Sequence, residues 1–320
     1  FDLLLLSDSR VVENAFCLLQ LLPQNKLLVM RLRDFGDAPN WPALLGGESI
    51  LRLFYRLQIV ESLTPADGGL GRWSQQFTAS GGLKHLLGTL LLQHSADDLC
   101  ASALTLSCVA LLLKLITSFV TSAQEERAGS ETLFTLAAVD SGTIVARLLE
   151  LLRAISGIGD APQHTKMPHR KVEHVQTFSP AAEVVGHALA LLAGLALAEP
   201  RVLDVMREQA DFVSTLLSCL LHTHHAVRKS TSEGIVRMCT GSSGACCMAQ
   251  FFTGVLLESR QRAQSHSECC AEFFALSSQL VCSEGALDTM SEDVLGQHAA
   301  AMRDEIAKRP IIECGDQDVD

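Results

Sequence analysis

A pair of leucines followed three residues later by another recurs three times along this chain. The copies are Leu86, Leu87 and Leu90; Leu148, Leu149 and Leu152; and Leu216, Leu217 and Leu220. From Leu86 to Leu148 is 62 residues, and from Leu148 to Leu216 is 68. Steps of three and four put side chains on one helical face. Each copy is preceded by glycine or a small residue: Gly81 and Gly82, Gly142, and Ala210. Repeated helix pairs or triplets that cannot bury their apolar faces alone stack into solenoids. The reading is therefore all-α, an armadillo/HEAT-like α-solenoid, or α-α superhelix. Armadillo and HEAT units run about 40–47 residues. The longer spacing here calls for inserted loops or an extra helix per unit.

Composition agrees with helix. Aromatic residues make up 5% of the 320 residues, there is one tyrosine, and leucine dominates a 48% hydrophobic chain. Sheets favour β-branched and aromatic residues instead. Apolar periodicity places helices at Val11–Leu22, Ser49–Leu63, Arg72–Ala79, Gly82–Gln93, Asp97–Thr121, Glu131–Ala138, Ile144–Ala154 and Pro180–Leu197. Further helices are expected at Arg201–Glu208, Asp211–His222, Ala226–Thr240, Ala245–Gln261, Ser267–Val281 and Ser291–Ala307. Asp97 and Asp98 suit a helix N-terminus, Pro180 suits a first turn, and Pro23 and Pro65 stop the helices before them. Between Ser156 and Ser179 no apolar period runs, and Gly157, Gly159, Pro162 and Pro168 break the chain. That stretch reads as a surface loop inserted in one helical repeat domain, residues 1–312. The acidic end, residues 313–320, reads as disordered.

Charge and cysteine narrow the function classes. The net charge is −11 with no basic stripe, so a nucleic-acid footprint is not expected. Leu99–Leu113 and Val184–Ala198 carry no charge apart from His187, but each is about 15 residues, short of the roughly 20 that span a bilayer. They read as core helices, with no membrane partner. The chain opens at Phe1 inside the apolar run Leu3–Leu6, without a basic stretch or cleavage site before it. This reads as a fragment boundary, not a signal peptide. Eleven cysteines sit in apolar stretches (Cys100, Cys108, Cys219) or as neighbours (Cys246 with Cys247, Cys269 with Cys270). That is no disulfide framework, and it points to reduced thiols in the cytosol or nucleus.

No reaction centre is legible. Structural zinc needs four ligands, usually as two spaced pairs, and adjacent helical cysteines diverge by about 100°. His222, His224 and His225 cluster at a helix end, where the dipole favours them without a metal. His164, His169 and His174 lie in the loop. A cysteine nucleophile needs a thiolate, a histidine and an orienting group, whereas a thiol in an apolar helix behaves as a small hydrophobe. Gly68, Gly69 and Gly71 lack the phosphate-loop pattern and read as a turn. The cations Lys166, Arg170 and Lys171 could dock an acidic partner but read first as a solvated loop. The expectation is no catalytic, metal or cofactor-binding residue, no small-molecule ligand, and protein partners on a solenoid surface.

Two blocks carry a resemblance. One is Phe16-Cys17-Leu18-Leu19-Gln20-Leu21-Leu22-Pro23-Gln24-Asn25. The other runs from Leu53-Phe54-Tyr55-Arg56-Leu57-Gln58-Ile59-Val60-Glu61-Ser62-Leu63 to Trp73, Phe77 and Gly81-Gly82-Leu83-Lys84-His85-Leu86-Leu87. Over roughly the first 95 residues this order resembles the armadillo-like region of the giant, fat-facets-like ubiquitin-specific proteases. Phe16 stands where that pattern has tryptophan. The resemblance implies a cysteine-type deubiquitinase as parent, whose catalytic domain carries a G-L-x-N-x-G-N-T-C-Y box. No cysteine here has that neighbourhood, so no catalytic residue carries over. The chain resembles a scaffold segment of such an enzyme; the alternative is a stand-alone armadillo-like adaptor, and a third reading is an enzyme using one of its own Cys–His pairs. In the resembling blocks Trp73, Phe77 and Leu83 are spaced to pack a short helix against the next.

Overall fold

The computed structural model describes residues 25–36, 38–46, 49–64, 71–92, 102–125, 141–157, 180–199, 201–209 and 211–240, with Leu276, Gly296 and Ala300. Among them every regular element is helical. In chain order these are α1 (Lys26–Arg33), α2 (Trp41–Leu44), α3 (Ile50–Leu63), α4 (Arg72–Ala79), α5 (Gly82–Leu92), α6 (Ala103–Glu125), α7 (Ser141–Ser156), α8 (Pro180–Ala198), α9 (Arg201–Glu208), α10 (Phe212–Leu220) and α11 (His225–Thr240). The helices expected at Val11–Leu22, Glu131–Ala138, Ala245–Gln261, Ser267–Val281 and Ser291–Ala307 lie outside the described residues, apart from the three isolated ones. So do Pro23 and Pro65, most of the 156–179 loop, and the 313–320 tail.

Local chemistry starts these helices. The Asn25 side chain accepts from the backbone N–H of Leu27 and Leu28 at 3.0 and 3.3 Å, capping α1. Asn40 does the same for Ala43 at 3.1 Å, with Pro42 in the first turn of α2. Both helices went unforeseen, because α1 buries only Leu32 and α2 is a single turn. Such side-chain caps satisfy N–H groups that have no partner inside the helix. At α6, Ser102 and Thr105 cap each other: each side-chain oxygen accepts from the other's backbone N–H at 3.1 Å. Asp97 and Asp98, the expected start, lie outside the described residues; α6 has its own cap at Ser102. Between α4 and α5, Gly81 takes φ +86°, a conformation that strains any residue with a Cβ. A Cβ on Gly82 would sit 2.5 Å from the Phe77 ring, so both glycines of the expected turn are required there.

Packing joins the helices in two runs. Along one, α1 lies against α3, α3 against α6, α6 against α8, and α8 against α11. Along the other, α5 lies against α7 and α7 against α10. The runs touch through α5 with α6, α7 with α8, and α10 with α11. In the first run, α3, α6, α8 and α11 are parallel: Ile50 and Glu61 of α3 meet Cys108 and Lys114 of α6 in the same order. Thr117 and Val120 of α6 meet His187 and Gly194 of α8 in the same order. Gly186 and Leu189 of α8 likewise meet Ser230 and Gly234 of α11. All nine leucines of the recurring triplet are buried, and they fall on α5, α7 and α10, the three members of the second run.

The two tryptophans join separate helices. Trp41 donates its indole N–H to the Ser80 carbonyl at 2.7 Å, and Trp73 donates to the Leu32 carbonyl at 2.9 Å. Phe77 stacks on Trp73 with ring centroids 5.0 Å apart, meets Trp41 edge-on at 4.8 Å, and stacks on Phe119 of α6 at 5.3 Å. Such pairs add about 0.5–1.5 kcal/mol each beyond area burial. Trp73, Phe77 and Leu83 were expected to pack this short helix against the next, and α4 does lie against α5. The hydrogen bond of Trp73 also reaches back to α1, across 41 residues of sequence.

The apolar run expected to stop near Leu113 continues through Lys114. The apolar stretch Ala103–Thr121 of α6 is long and apolar enough to cross a bilayer, and two thirds of it is buried against other helices.

Candidate functional site

The thiols come first, because the cysteine nucleophile of a Cys–His pair would have to be one of them. Cys108 and Cys219 are buried and free. Burial pushes both up to about 12, so each is a neutral thiol at physiological pH. Cys219 Sγ donates to the Leu152 carbonyl at 3.5 Å, and Cys108 Sγ points at the Ile50 carbonyl at 3.9 Å. A thiolate is the reactive species, and these two sites disfavour it. Cys100, Cys246, Cys247, Cys269 and Cys270 lie outside the described residues.

The histidine cluster is a turn. Helix α10 ends at Leu220 and α11 begins at His225, so the dipole argument applies to His222 alone and not to His225 at a helix start. His222 Nδ1 accepts from the His224 N–H at 3.0 Å. The buried Arg228 guanidinium donates to the carbonyls of His222 and Thr223, both at 2.8 Å. Those carbonyls just follow α10, and a cation there answers groups that lack helical partners. Among the described residues no three His, Cys, Asp or Glu side chains converge on a point that could hold a metal ion. His164, His169, His174 and the cations Lys166, Arg170 and Lys171 lie outside the described residues, as do Gly68 and Gly69. Gly71 precedes α4.

One polar seam crosses the run of long helices. Lys114 of α6 pairs with Glu61 of α3 at 2.6 Å. Glu183 and His187, one turn apart on α8, continue it. Burial raises the Glu183 carboxyl, Lys114 opposes that shift, and Glu61 adds to it. Burial lowers His187 most; Lys114 and then Arg237 of α11 lower it further, against Glu61. The seam thus alternates in sign across α3, α6, α8 and α11. It ties four helices together through Glu61, Lys114, Glu183, His187 and Arg237. The sequence showed Lys114 only as an interruption. A lone charge inside a long apolar helix was the available signal.

A second buried cation lies in the leucine run. Arg147 of α7 donates through Nε to the Leu90 carbonyl of α5 at 3.1 Å, and through Nη1 to Glu150 at 2.9 Å. The acceptors of Arg147 and Cys219 are equivalent: Leu90 and Leu152 are each the third leucine of a triplet.

Compared with protein-family models, with characterised proteins and with solved structures, the chain matches none.

Proposed function

We propose that this chain is a non-catalytic α-solenoid of the armadillo/HEAT type, serving as a protein-interaction scaffold within a large cysteine-type deubiquitinase. The observation that carries the reading is the parallel packing of α6, α8 and α11 beside the triplet-bearing run α5, α7 and α10. Helices joined by short turns pack antiparallel in bundles. A row of parallel helices, each separated from the next by a return helix, is what stacking of repeated units produces. In this reading a unit is a short helix, a triplet helix and a long helix. The unit α9–α10–α11 spans Arg201–Thr240, within the usual length of about 40–47 residues. The greater spacing of the earlier triplets then comes from chain inserted around α6, α7 and α8, as the 156–179 loop suggests.

The deubiquitinase parent rests on the motif order from Phe16 to Leu87. Two buried neutral thiols fit a segment that leaves the chemistry to another domain. Free thiols suit the cytosol or nucleus. The burial of α6 between helices, with Lys114 paired, suits a core helix and not a span. Partners are proteins, held along exposed solenoid surface, with no nucleic acid or cofactor required.

A ubiquitin probe with a C-terminal electrophile tests this. Residues 1–320 should stay unlabelled, while the complete gene product that contains them is labelled. Labelling of any cysteine within 1–320 would overturn the non-catalytic reading. An unlabelled complete product would replace the deubiquitinase parent with a stand-alone adaptor.

A further inference from the structure

Helix α1 turns an apolar strip edged by cations toward solvent. Its inner side packs through the buried Leu32 and the half-buried Leu28 and Val29. The remaining arc holds Arg33, Lys26, Met30, Leu27 and Arg31, in that angular order at 100° per residue. Leu27 and Met30 are 71% and 61% exposed, the large hydrophobic side chains left open among the described residues. They sit side by side in the middle of the arc. Arg33 and Lys26 edge one side, and Arg31 edges the other. Among the described residues none of these three cations makes an ion pair, although the chain carries a net charge of −11. Asp34 is the single carboxylate between Asn25 and Gly36.

The helix dipole accounts for Arg31 and Arg33, which stand in the last turn. It does not account for Lys26 in the first turn, where a cation is disfavoured, nor for two open hydrophobes. The backbone of α1 is already anchored without this arc. Asn25 caps it, the Asn25 N–H donates to the Tyr55 hydroxyl of α3, and the Leu32 carbonyl is held by Trp73. Among the described residues Leu27 and Met30 take no part in the core.

We infer that the outer arc of α1 is a docking face for an acidic amphipathic segment of a partner protein. Apolar anchors of the partner cover Leu27 and Met30, and its carboxylates meet Lys26, Arg31 and Arg33. Charge complementarity chooses this occupant: a cationic edge on an acidic molecule attracts anionic segments locally and repels basic ones. The inference deepens the scaffold reading and rests on it by naming one face and its partner chemistry.

The test is a fluorescence-anisotropy titration of the 320-residue chain with synthetic peptides. One is a helix-forming peptide with Leu and Phe at i, i+3 and i+4 and Glu between them. The second is its counterpart with Lys for every Glu. The acidic peptide should bind saturably and the basic one at least about tenfold more weakly, a difference of about 1.4 kcal/mol. The double variants L27S/M30S and R31E/R33E should each lose roughly tenfold or more, with circular dichroism unchanged and only R31E/R33E melting slightly lower, because it reverses charges that the α1 dipole favours. Binding that survives both variants overturns the proposal, as does equal affinity for both peptides. Binding of phosphatidylserine vesicles in place of the acidic peptide also overturns it, since the arc would then be a membrane-surface element. The titration reads α1 alone, so its failure removes this face without touching the ubiquitin-probe result.

Discussion

The indole N–H of Trp73 on α4 donates to the backbone carbonyl of Leu32 on α1, 2.9 Å away, while its ring stacks on Phe77. Leu32 lies in the last turn of α1, where carbonyls have no partner inside the helix. One side chain therefore closes a helix end and extends the aromatic cluster. Trp73→Ala should cost about 3 kcal/mol, as large-to-small changes at packed aromatics do. Trp73→Phe keeps the ring and should cost only about 1 kcal/mol, the worth of a single hydrogen bond. Denaturant unfolding measures both, and equal losses would show that the hydrogen bond, not the stack, dominates.

Arg147 is buried with its Nε on the Leu90 carbonyl. Arg147→Ala leaves that carbonyl without its donor and opens a gap between α5 and α7. The expected loss is about 2–4 kcal/mol. Arg147→Met fills the space without restoring the donor and should recover part of it. A melt of R147A that matches the wild type would remove Arg147 as the link between these helices.

Gly234 lets α8 and α11 approach. A Cβ there would fall 2.5 Å from Leu189 Cδ1 and 2.6 Å from Leu189 Cβ. Gly234→Ala should therefore destabilise by about 1–3 kcal/mol through overpacking, despite the better helix propensity of alanine. In a Leu189→Ala background the same change should cost much less. Additive losses in the double variant would mean that the two residues do not meet.

Stability should fall as pH drops below 6.5. Burial lowers His187 and His85 below the ordinary histidine value of 6.5. Each binds its proton less readily folded than unfolded, so stability is fully present above 6.5 and is lost as pH drops toward the folded value. Glu183 is raised, which works in the opposite sense: its contribution is present at low pH and lost as pH rises through its folded value. His85→Gln with His187→Gln should shrink the difference in urea midpoint between pH 5.5 and 7.5, and Glu183→Gln should raise the midpoint at pH 7.5. An undiminished difference in the histidine double variant would assign the acid sensitivity to other groups.

Much of the helical layout was readable before any coordinates. The bounds of α4 and α9 agree residue for residue, and α3, α5 and α8 differ by one at an end, because caps, prolines and the 3.6-residue period act within a few residues of sequence. Helix α1 escaped that logic, since one fully buried residue in eight leaves little period to detect. The seam was less legible than the helices. Glu61, Lys114, Glu183, His187 and Arg237 come from four elements spread from residue 61 to 237, and no local spacing relates them.

By itself the sequence determined that the chain is helical and that the three leucine triplets face inward, because both follow from local periodicity and from the exclusion of apolar surface from water. Tertiary structure alone decided which helices meet. It set the triplets side by side on α5, α7 and α10, tied Trp73 to Leu32, made a turn of the histidine cluster, and left Leu27 and Met30 uncovered. The reason is that periodicity marks which face of a helix must be buried but not against what. That choice depends on shape and on carbonyls and side chains brought together from distant parts of the chain.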